Sequence, residues 1–238
     1  MMECQSIEVA KTSALNRLRD TLLRQVPAKL DYAGNLELLD APSVGFCGSR
    51  KASEAGLIAA RDCATVAANA GLVVVSGNAT GVDFAAHHAA LAAGGRTILV
   101  LPEGMSRFRV KSDLKSVWDW DRVLVISQWD RVAVWRSYQA MSRNLTIIGL
   151  SGALVVIEAG ITGGTKHAGE AALRLSVPLF VLEYREVSED RAGNADLILR
   201  GGVPIRRKRQ SGAPSLDKLI ETAQSRFASG GPQDHFEL

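Results

Sequence analysis

Three segments of this sequence have the composition of phosphate-binding loops. They read Gly-Ser-Arg-Lys at 48–51, Ser-Gly-Asn-Ala-Thr-Gly-Val-Asp at 76–83 and Glu-Ala-Gly-Ile-Thr-Gly-Gly-Thr-Lys at 158–166. Glycine lets the backbone approach an anion closely, and a helix N-terminus offers free N–H groups and the positive end of a dipole. The hydroxyl groups and the basic side chains of Arg50 and Lys166 suit the same ligand. These segments predict an anion-binding surface.

Any one of these loops could be an ordinary strand-to-helix turn, in which Gly, Ser and Thr serve conformation and capping. Three of them at one end of a sheet favour a real site. A fourth segment adds Arg143, which can fork onto a phosphate or a carboxylate, and Asn144, which can tie down a loop; function and structure are equally favoured there. The predicted nucleic-acid or phosphate contacts are Gly48, Ser49, Arg50, Lys51, Ser76, Gly77, Asn78, Gly81, Arg143, Asn144, Thr162, Gly163, Gly164 and Lys166.

Catalysis is weakly supported by the residue pattern. Asp83 and His87 are spaced to share one helix face, where a carboxylate could orient a histidine base. The stretch from Thr80 to Asp83 also resembles a capping box, with His87 as a structural link, and we favour that interpretation. Neither standard nucleotide fingerprint is present, which disfavours an NAD enzyme or a P-loop ATPase. No catalytic residue, cofactor or metal site is predicted.

The elements that would position these loops alternate between short apolar strands and helices. Strands are predicted at 44–47, 72–75, 97–101, 123–126, 154–157 and 179–182. Uniformly apolar strands between amphipathic helices indicate a parallel sheet covered on both faces. We therefore expect an α/β, doubly wound, mostly parallel sheet of the extended Rossmann-like type, in which ligands bind beyond the carboxyl ends of the strands.

The chain divides into three predicted parts. Residues 1–42 read as an N-terminal helical extension and connector, with an amphipathic helix at 13–26 ended by Pro27 and a connector at 32–42. Residues 43–228 read as the Rossmann-like domain, which closes with a helix near 216–227. Residues 229–238 read as a flexible tail. A basic run, Arg206 to Arg209, precedes the last helix.

Composition narrows the class of protein. Of 238 residues, 47% are apolar and 22% charged, which fits an ordinary globular protein, and the net charge of +3 is compatible with a polyanionic partner. Cys4, Cys47 and Cys63 form no zinc or disulfide pattern and are expected to be buried thiols. With no signal pattern and no long apolar run, we expect a cytoplasmic protein that contacts no membrane.

Aromatic residues cluster in one stretch and lie beside basic residues there. The aromatic residues are Trp118, Trp120, Trp129, Trp135 and Tyr138. Such a set suits stacking on unpaired bases, and core packing or a dimer contact explains it at least as well.

The ordered motifs resemble the DprA/Smf family, DNA-processing proteins of bacterial natural transformation. The matching stretches are Gly48-Ser49-Arg50, 76–91, Arg143-Asn144 through Ser151, 157–164 with Glu158, and 193–202, so the resemblance covers 44–205. It implies homodimerisation, sequence-independent binding of single-stranded DNA and transfer of that DNA to RecA, with no established catalytic reaction. Arg50 is the position carried over first, because DNA would lie in a basic pocket that contains it.

Several positions depart from the family pattern. Ala140-Met141 replaces Phe-Pro, so a stacking aromatic is lost unless Trp135 or Tyr138 substitutes, and Leu145 replaces a second arginine. Few residues follow the predicted sheet, so we expect the C-terminal winged-helix domain typical of many family members to be absent. The leading hypothesis is a single-stranded DNA-binding protein without catalysis, acting in recombination, natural transformation or DNA protection. The alternatives are a nucleotide sensor or hydrolase of the wider superfamily, or a regulatory or antitoxin component of a defence system.

Overall fold

The computed structural model describes residues 4–184, 188–208 and 212–228. The strands are β1 (Gln5–Glu8), β2 (Lys29–Gly34), β3 (Ser43–Cys47), β4 (Val73–Gly77), β5 (Thr97–Leu101), β6 (Val123–Ser127), β7 (Ala153–Val156), β8 (Leu179–Leu182) and β9 (Val203–Ile205). The helices are α1 (Asn16–Leu22), α2 (Glu54–Asn69), α3 (Val82–Ala92), α4 (Ser137–Leu150), α5 (Gly164–Arg174), α6 (Ala192–Leu199) and α7 (Asp217–Ala228).

The strands form one sheet in the order β1-β2-β6-β5-β4-β3-β7-β8-β9. In this order, every neighbouring pair from β6 to β9 is parallel. β2 is antiparallel to both of its neighbours, β1 and β6. All six predicted strands are present, and each is buried along its whole length because helices cover both faces of the sheet. The predicted doubly wound α/β architecture is confirmed.

Two large apolar cores lie on opposite faces of the sheet. One contains side chains of α1, α4, α5 and α6, and the other contains side chains of α2, α3 and α7. Small residues allow the second layer to pack closely; Ala60, Ala64 and Ala67 of α2 are fully buried. Because β3 lies between β4 and β7, the chain reverses its direction across the sheet there. A crevice opens at the carboxyl ends of the strands at such a reversal.

The prediction for the N-terminal segment was partly wrong. β2 begins before the expected connector at 32–42 and ends within it, and it pairs with β6 in the register Tyr32 to Ile126 and so extends the sheet. Leu30 and Asp31 of this strand are buried. The strand was not predicted because its sequence is partly charged and contains no continuous apolar run. The predicted helix is a short α1 between 3₁₀ turns, interrupted at Leu23, whose φ is +50°.

Two further elements near the end of the chain were not predicted from the sequence. They are helix α6 and the three-residue edge strand β9. The predicted final helix is present as α7. The basic run is largely neutralised: Arg206 pairs with Glu183, Arg207 with Asp62 and Lys208 with Asp217. Arg209 and the predicted tail at 229–238 lie outside the described residues.

The thiols differ in their surroundings. Cys47 and Cys63 are buried, and burial raises the pKa of each to about 12, so neither is a reactive thiolate. Cys4 is half-buried, contrary to expectation. Among the described residues, no helix combines the length and apolar character needed to cross a bilayer.

Candidate nucleic-acid interface

A groove runs over the carboxyl ends of the parallel strands. It consists of a main cavity of about 590 Å³ and a side cavity of about 420 Å³. Arg50, Ala79, Trp135 and Arg143 line both, so the two cavities adjoin. The groove therefore lies at the chain reversal beside β3, where the predicted glycine-rich loops meet.

Ten of the fourteen predicted contact residues line this groove. Nine of them line the main cavity: Gly48, Ser49, Arg50, Lys51, Arg143, Asn144, Thr162, Gly163 and Gly164. Asn78 lines the side cavity. Gly163, at φ +105°, precedes α5, and neither Gly163 nor Gly164 has another atom near the position of a Cβ. The space around these two glycines is therefore open, which leaves room for an anion to approach the first N–H groups of α5.

Exposed cations stand at the edges of the groove. Arg50, Lys51 and Arg107 are exposed groove residues, and none of them makes an ion pair with a described residue. The Arg50 guanidinium lies 5.3 Å from the centre of the Trp135 ring. A guanidinium without an acidic partner is available to a phosphate, on which it can form two parallel hydrogen bonds.

Arg143 of α4 is different because it is almost wholly buried, at 5% exposure. Its Nη1 lies 3.7 Å from Asp83 Oδ2, and its Nε has no hydrogen-bond partner. Gly77 lies directly against the guanidinium, and a Cβ at that position would overlap it. Arg143 thus places a positive charge at the floor of both cavities with donor capacity to spare.

The loop at 76–83 is built differently from the prediction. Ser76 is fully buried and donates to Phe46 O and Asp83 Oδ1. The N–H of Val82 donates to Ser49 O, so the first loop covers the N-terminus of α3, and Gly81, at φ +72°, allows this close approach. Ser76, Gly77 and Gly81 are therefore corrected from phosphate contacts to packing positions.

Lys166 is also corrected. Its Nζ lies 3.2 Å from Asp196 Oδ2 on α6 and 3.9 Å from Glu170 Oε1, and the side chain is mostly buried. It is not among the residues that line the groove. Its charge is balanced between two helices because α6, which the sequence pattern did not reveal, supplies a carboxylate.

Asp83 and His87 do not bond to each other. Asp83 accepts from Ser76 Oγ and from Ala79 N, while His87 Nε2 lies 2.7 Å from Gly77 O and Nδ1 lies 2.6 Å from Thr97 Oγ1. Burial lowers the pKa of His87 to about 4, so the ring is neutral near pH 7. The arrangement fits the structural interpretation of both residues. Thr80, however, is not the N-cap of α3, since that position is Gly81.

Glu158 lines the main cavity, is 1% exposed, and connects its own loop to the start of α2. Its carboxylate accepts from Ser53 N at 2.9 Å and Ser53 Oγ at 2.6 Å, and Arg191 Nε lies 3.6 Å away. Ser53 also caps α2 by accepting from Gly56 N. The carboxylate is thus neutralised by its own loop network, and it does not oppose an anion in the groove.

Among the charged groove residues, sequence reasoning missed Asp190, which lines the main cavity, and also Glu103 and Arg107, which follow β5 and line the side cavity. The same strand-end argument would have found Glu103 and Arg107, because Pro102-Glu103-Gly104 comes directly after an apolar strand. Of the two aromatic residues predicted as possible substitutes for the family's phenylalanine, Trp135 lines both cavities and Tyr138 lines neither. Trp118 and Trp120, by contrast, pack edge to face with their ring centres 5.1 Å apart, against buried apolar side chains of β5 and β6.

The described part of the chain gives little support to a metal site or to a hydrolytic site. No group of three His, Cys, Asp or Glu residues there could hold a metal ion. Glu170, the carboxylate that follows the Gly-Gly-Thr segment, pairs with Arg200 at 3.2 Å and lies outside the groove. A hydrolytic role for that carboxylate in the groove is therefore disfavoured by its position.

Comparisons with known proteins agree on one family. The family model described as DNA recombination-mediator protein A matches residues 12–211. DNA processing protein DprA of Streptococcus pneumoniae is 35% identical over 158 residues, which are 66% of this chain and 55% of that protein. Protein Smf of Escherichia coli is 30% identical over 182 residues, 75% of this chain and 48% of that protein. The chain thus spans about half the length of the curated relatives it matches.

A solved structure supports the same relationship. The X-ray structure of DprA from Streptococcus pneumoniae superposes with a TM-score of 0.76 at 29% identity, covering 85% of this chain and 71% of that one. DNA processing protein A from Helicobacter pylori, in a structure that concerns its single-stranded DNA-binding mode, gives a TM-score of 0.75 at 24% identity, covering 94% and 97%.

Proposed function

Since the chain belongs to the family of DNA recombination-mediator protein A, we propose that it binds single-stranded DNA through the groove and acts in DNA processing without catalysis. The observation that carries this proposal is that exposed cations, which make no ion pair with a described residue, line the same cavity as the start of α5. A strand of phosphates would pass Arg50 and Lys51 and reach the N–H groups that follow Gly163. The Helicobacter pylori relative, whose structure concerns single-stranded DNA, has the same fold.

The groove favours a single strand over a duplex for a chemical reason. Trp135 is 48% exposed beside Arg50, so an unpaired base could stack on the indole while the adjacent phosphate contacts the guanidinium. In a duplex the bases are already stacked on one another and are not free to do so. Homodimerisation and transfer of DNA to RecA are further parts of the proposal, and they rest on the family.

The direct test measures binding of the purified chain to a thymine oligonucleotide and to a duplex of equal length, at several salt concentrations. We expect tighter binding of the single strand and a log–log salt dependence with a slope of roughly −0.7 for each phosphate contacted, because neutralised phosphates release counterions. No binding to any oligonucleotide at low salt would overturn the proposed function.

Replacing Trp135 by Ala should weaken single-strand binding by roughly 5- to 100-fold, the range for losing one base–aromatic stack. Tyr138→Ala is the matched control, because Tyr138 is also exposed, at 59%, and pairs edge to face with Trp129 without lining the groove. Fluorescence anisotropy with a labelled oligonucleotide measures both variants. Equal losses would contradict the assignment of Trp135 as the aromatic that takes the place of the family's phenylalanine.

A further inference from the structure

A separate cavity, which we call the edge cavity, lies over the strands on the β1 side of the sheet. The connection between β5 and β6, residues 102–122, contains 3₁₀ turns and no α-helix. Its side chains pack on buried residues of β2, β5 and β6 and leave a cavity of about 550 Å³. No described residue that lines the edge cavity also lines the groove, so the two are different sites.

The walls of the edge cavity are mostly apolar. The apolar lining comes from β2 and the 102–122 connection and consists of Ala33, Met105, Phe108, Val110 and Trp120. Phe108 and Trp120 both pack on Trp118, with ring centres 5.9 and 5.1 Å apart, so the aromatic wall is held in place from behind. Small-molecule pockets have volumes of roughly 300–1,000 Å³ and combine such walls with a few polar groups. The edge cavity therefore has the size and lining to hold the apolar body of a small molecule.

The polar groups of the edge cavity favour a negative charge on that molecule. Arg109 lines the cavity, donates to the carbonyl oxygens of two neighbouring residues at 3.0 and 2.6 Å, and makes no ion pair with a described residue. Arg131, the other cation of the lining, is paired with the buried Asp31. The Nε1 of Trp118, next to the aromatic wall, is buried and has no hydrogen-bond partner among the described residues. The unpaired groups around the cavity are thus a cation and a donor, which an anionic group with acceptor oxygens would satisfy.

We propose that the edge cavity binds a small molecule whose apolar body carries one anionic group, such as an aryl carboxylate or sulfonate. The body would lie against Phe108 and Trp120, and the anionic group would pair with Arg109. Inorganic phosphate has no apolar body to fill the cavity, and a cationic amphiphile would be repelled by Arg109. Because no lining residue is shared with the groove, the proposal does not depend on binding of single-stranded DNA.

The test uses the dye anilinonaphthalene sulfonate, which joins aromatic rings to one sulfonate and becomes fluorescent when it leaves water. The folded wild-type chain should give a saturable rise in fluorescence. Phenylbutyrate should displace the dye at least about tenfold better than the uncharged phenylbutyramide, which corresponds to the lower end for a hydrogen bond to a charged group. Equal displacement by the two compounds would show that the cavity does not recognise the anion and would overturn the proposal.

Two substitutions in the lining test the polar and the apolar part of the site. Arg109→Gln should weaken dye binding by about tenfold or more, whereas Arg61→Gln removes the same charge from α2, outside the cavity, and should leave binding unchanged. Val110→Asp places a negative charge in the apolar wall and should also weaken binding. Ile58→Asp introduces that charge at an exposed position of α2 and is its control. Circular dichroism melting of each variant shows that the chain is folded under the conditions of the titration.

Arg50→Ala separates the edge cavity from the groove, because it removes a groove cation and leaves the edge cavity intact. Dye binding should be the same in this variant as in the wild type. Loss of binding in Arg50→Ala but not in Arg109→Gln would place the dye in the groove and overturn the proposal, as would the absence of saturable binding by the wild-type chain. None of these results depends on whether oligonucleotides bind, so failure of this proposal and failure of the proposed function are distinguishable.

Discussion

Replacing Arg50 by Ala should weaken single-stranded DNA binding by about 10- to 100-fold, the largest loss we expect from any single groove residue. A charge-assisted hydrogen bond contributes about 1.5–3 kcal/mol, and the Arg50 guanidinium makes no ion pair with a described residue that would compete for it. The slope of log affinity against log salt should also become shallower by about 0.7, because one fewer phosphate is neutralised.

Two further variants isolate the cause of this loss. Arg61→Ala removes the same charge from α2, where the side chain pairs with Glu54 outside the groove, and should leave affinity nearly unchanged. Arg50→Lys keeps the charge but loses the planar fork and should fall between the wild type and Arg50→Ala. Equal effects of Arg61→Ala and Arg50→Ala in a salt titration would show that only net charge matters.

Replacing Arg143 by Met should destabilise the fold by about 3 kcal/mol, because it leaves the buried carboxylate of Asp83 without its ion-pair partner. This value is at the low end for broken buried pairs, since Asp83 keeps hydrogen bonds from Ser76 and Ala79. For a chain of this size the melting temperature should fall by about 6–12 °C, measurable by circular dichroism.

The double variant Asp83→Asn, Arg143→Met tests that explanation. Removing the orphaned charge should recover part of the lost stability, so the two substitutions should be strongly non-additive. Arg61→Met, at an exposed position, should change stability by no more than about 0.5 kcal/mol. If Arg143→Met melted with the wild type, the pair with Asp83 would contribute nothing to the fold, and the arginine would serve the ligand alone.

The central sheet could be predicted from sequence because its strands are buried on both faces and therefore appear as continuous apolar runs. The strands at the chain start could not, for a related reason. β1 has mostly exposed residues, and β2 carries Lys29 and Asp31, so neither produces such a run. β2 joins the sheet by pairing with β6, which lies about ninety residues further along the chain, and β1 joins it through β2.

The location of the groove could also be predicted, whereas the roles of individual loop residues could not. Composition marks a loop as compatible with phosphate, but which N–H groups remain free depends on neighbouring loops. Val82 N is used by Ser49 O, and Lys166 is used by Asp196 from a helix thirty residues away. Glu103 was not predicted as a groove residue because an acidic side chain is not expected to contact an anion.

The ion pair between Arg131 and Asp31 links the start of the chain to the aromatic wall of the groove. Arg131 Nε lies 3.2 Å from the buried Asp31 of β2, and its Nη2 donates to Cys4 O, while Trp135 lies four residues further along the same loop. Edge strands and loops open at low free energy and often do so as one cooperative unit. Amide hydrogens of β1 and β2 should therefore exchange in step with those of the 128–136 loop, and the order of the Trp135 indole would vary with fraying of the β1 edge of the sheet.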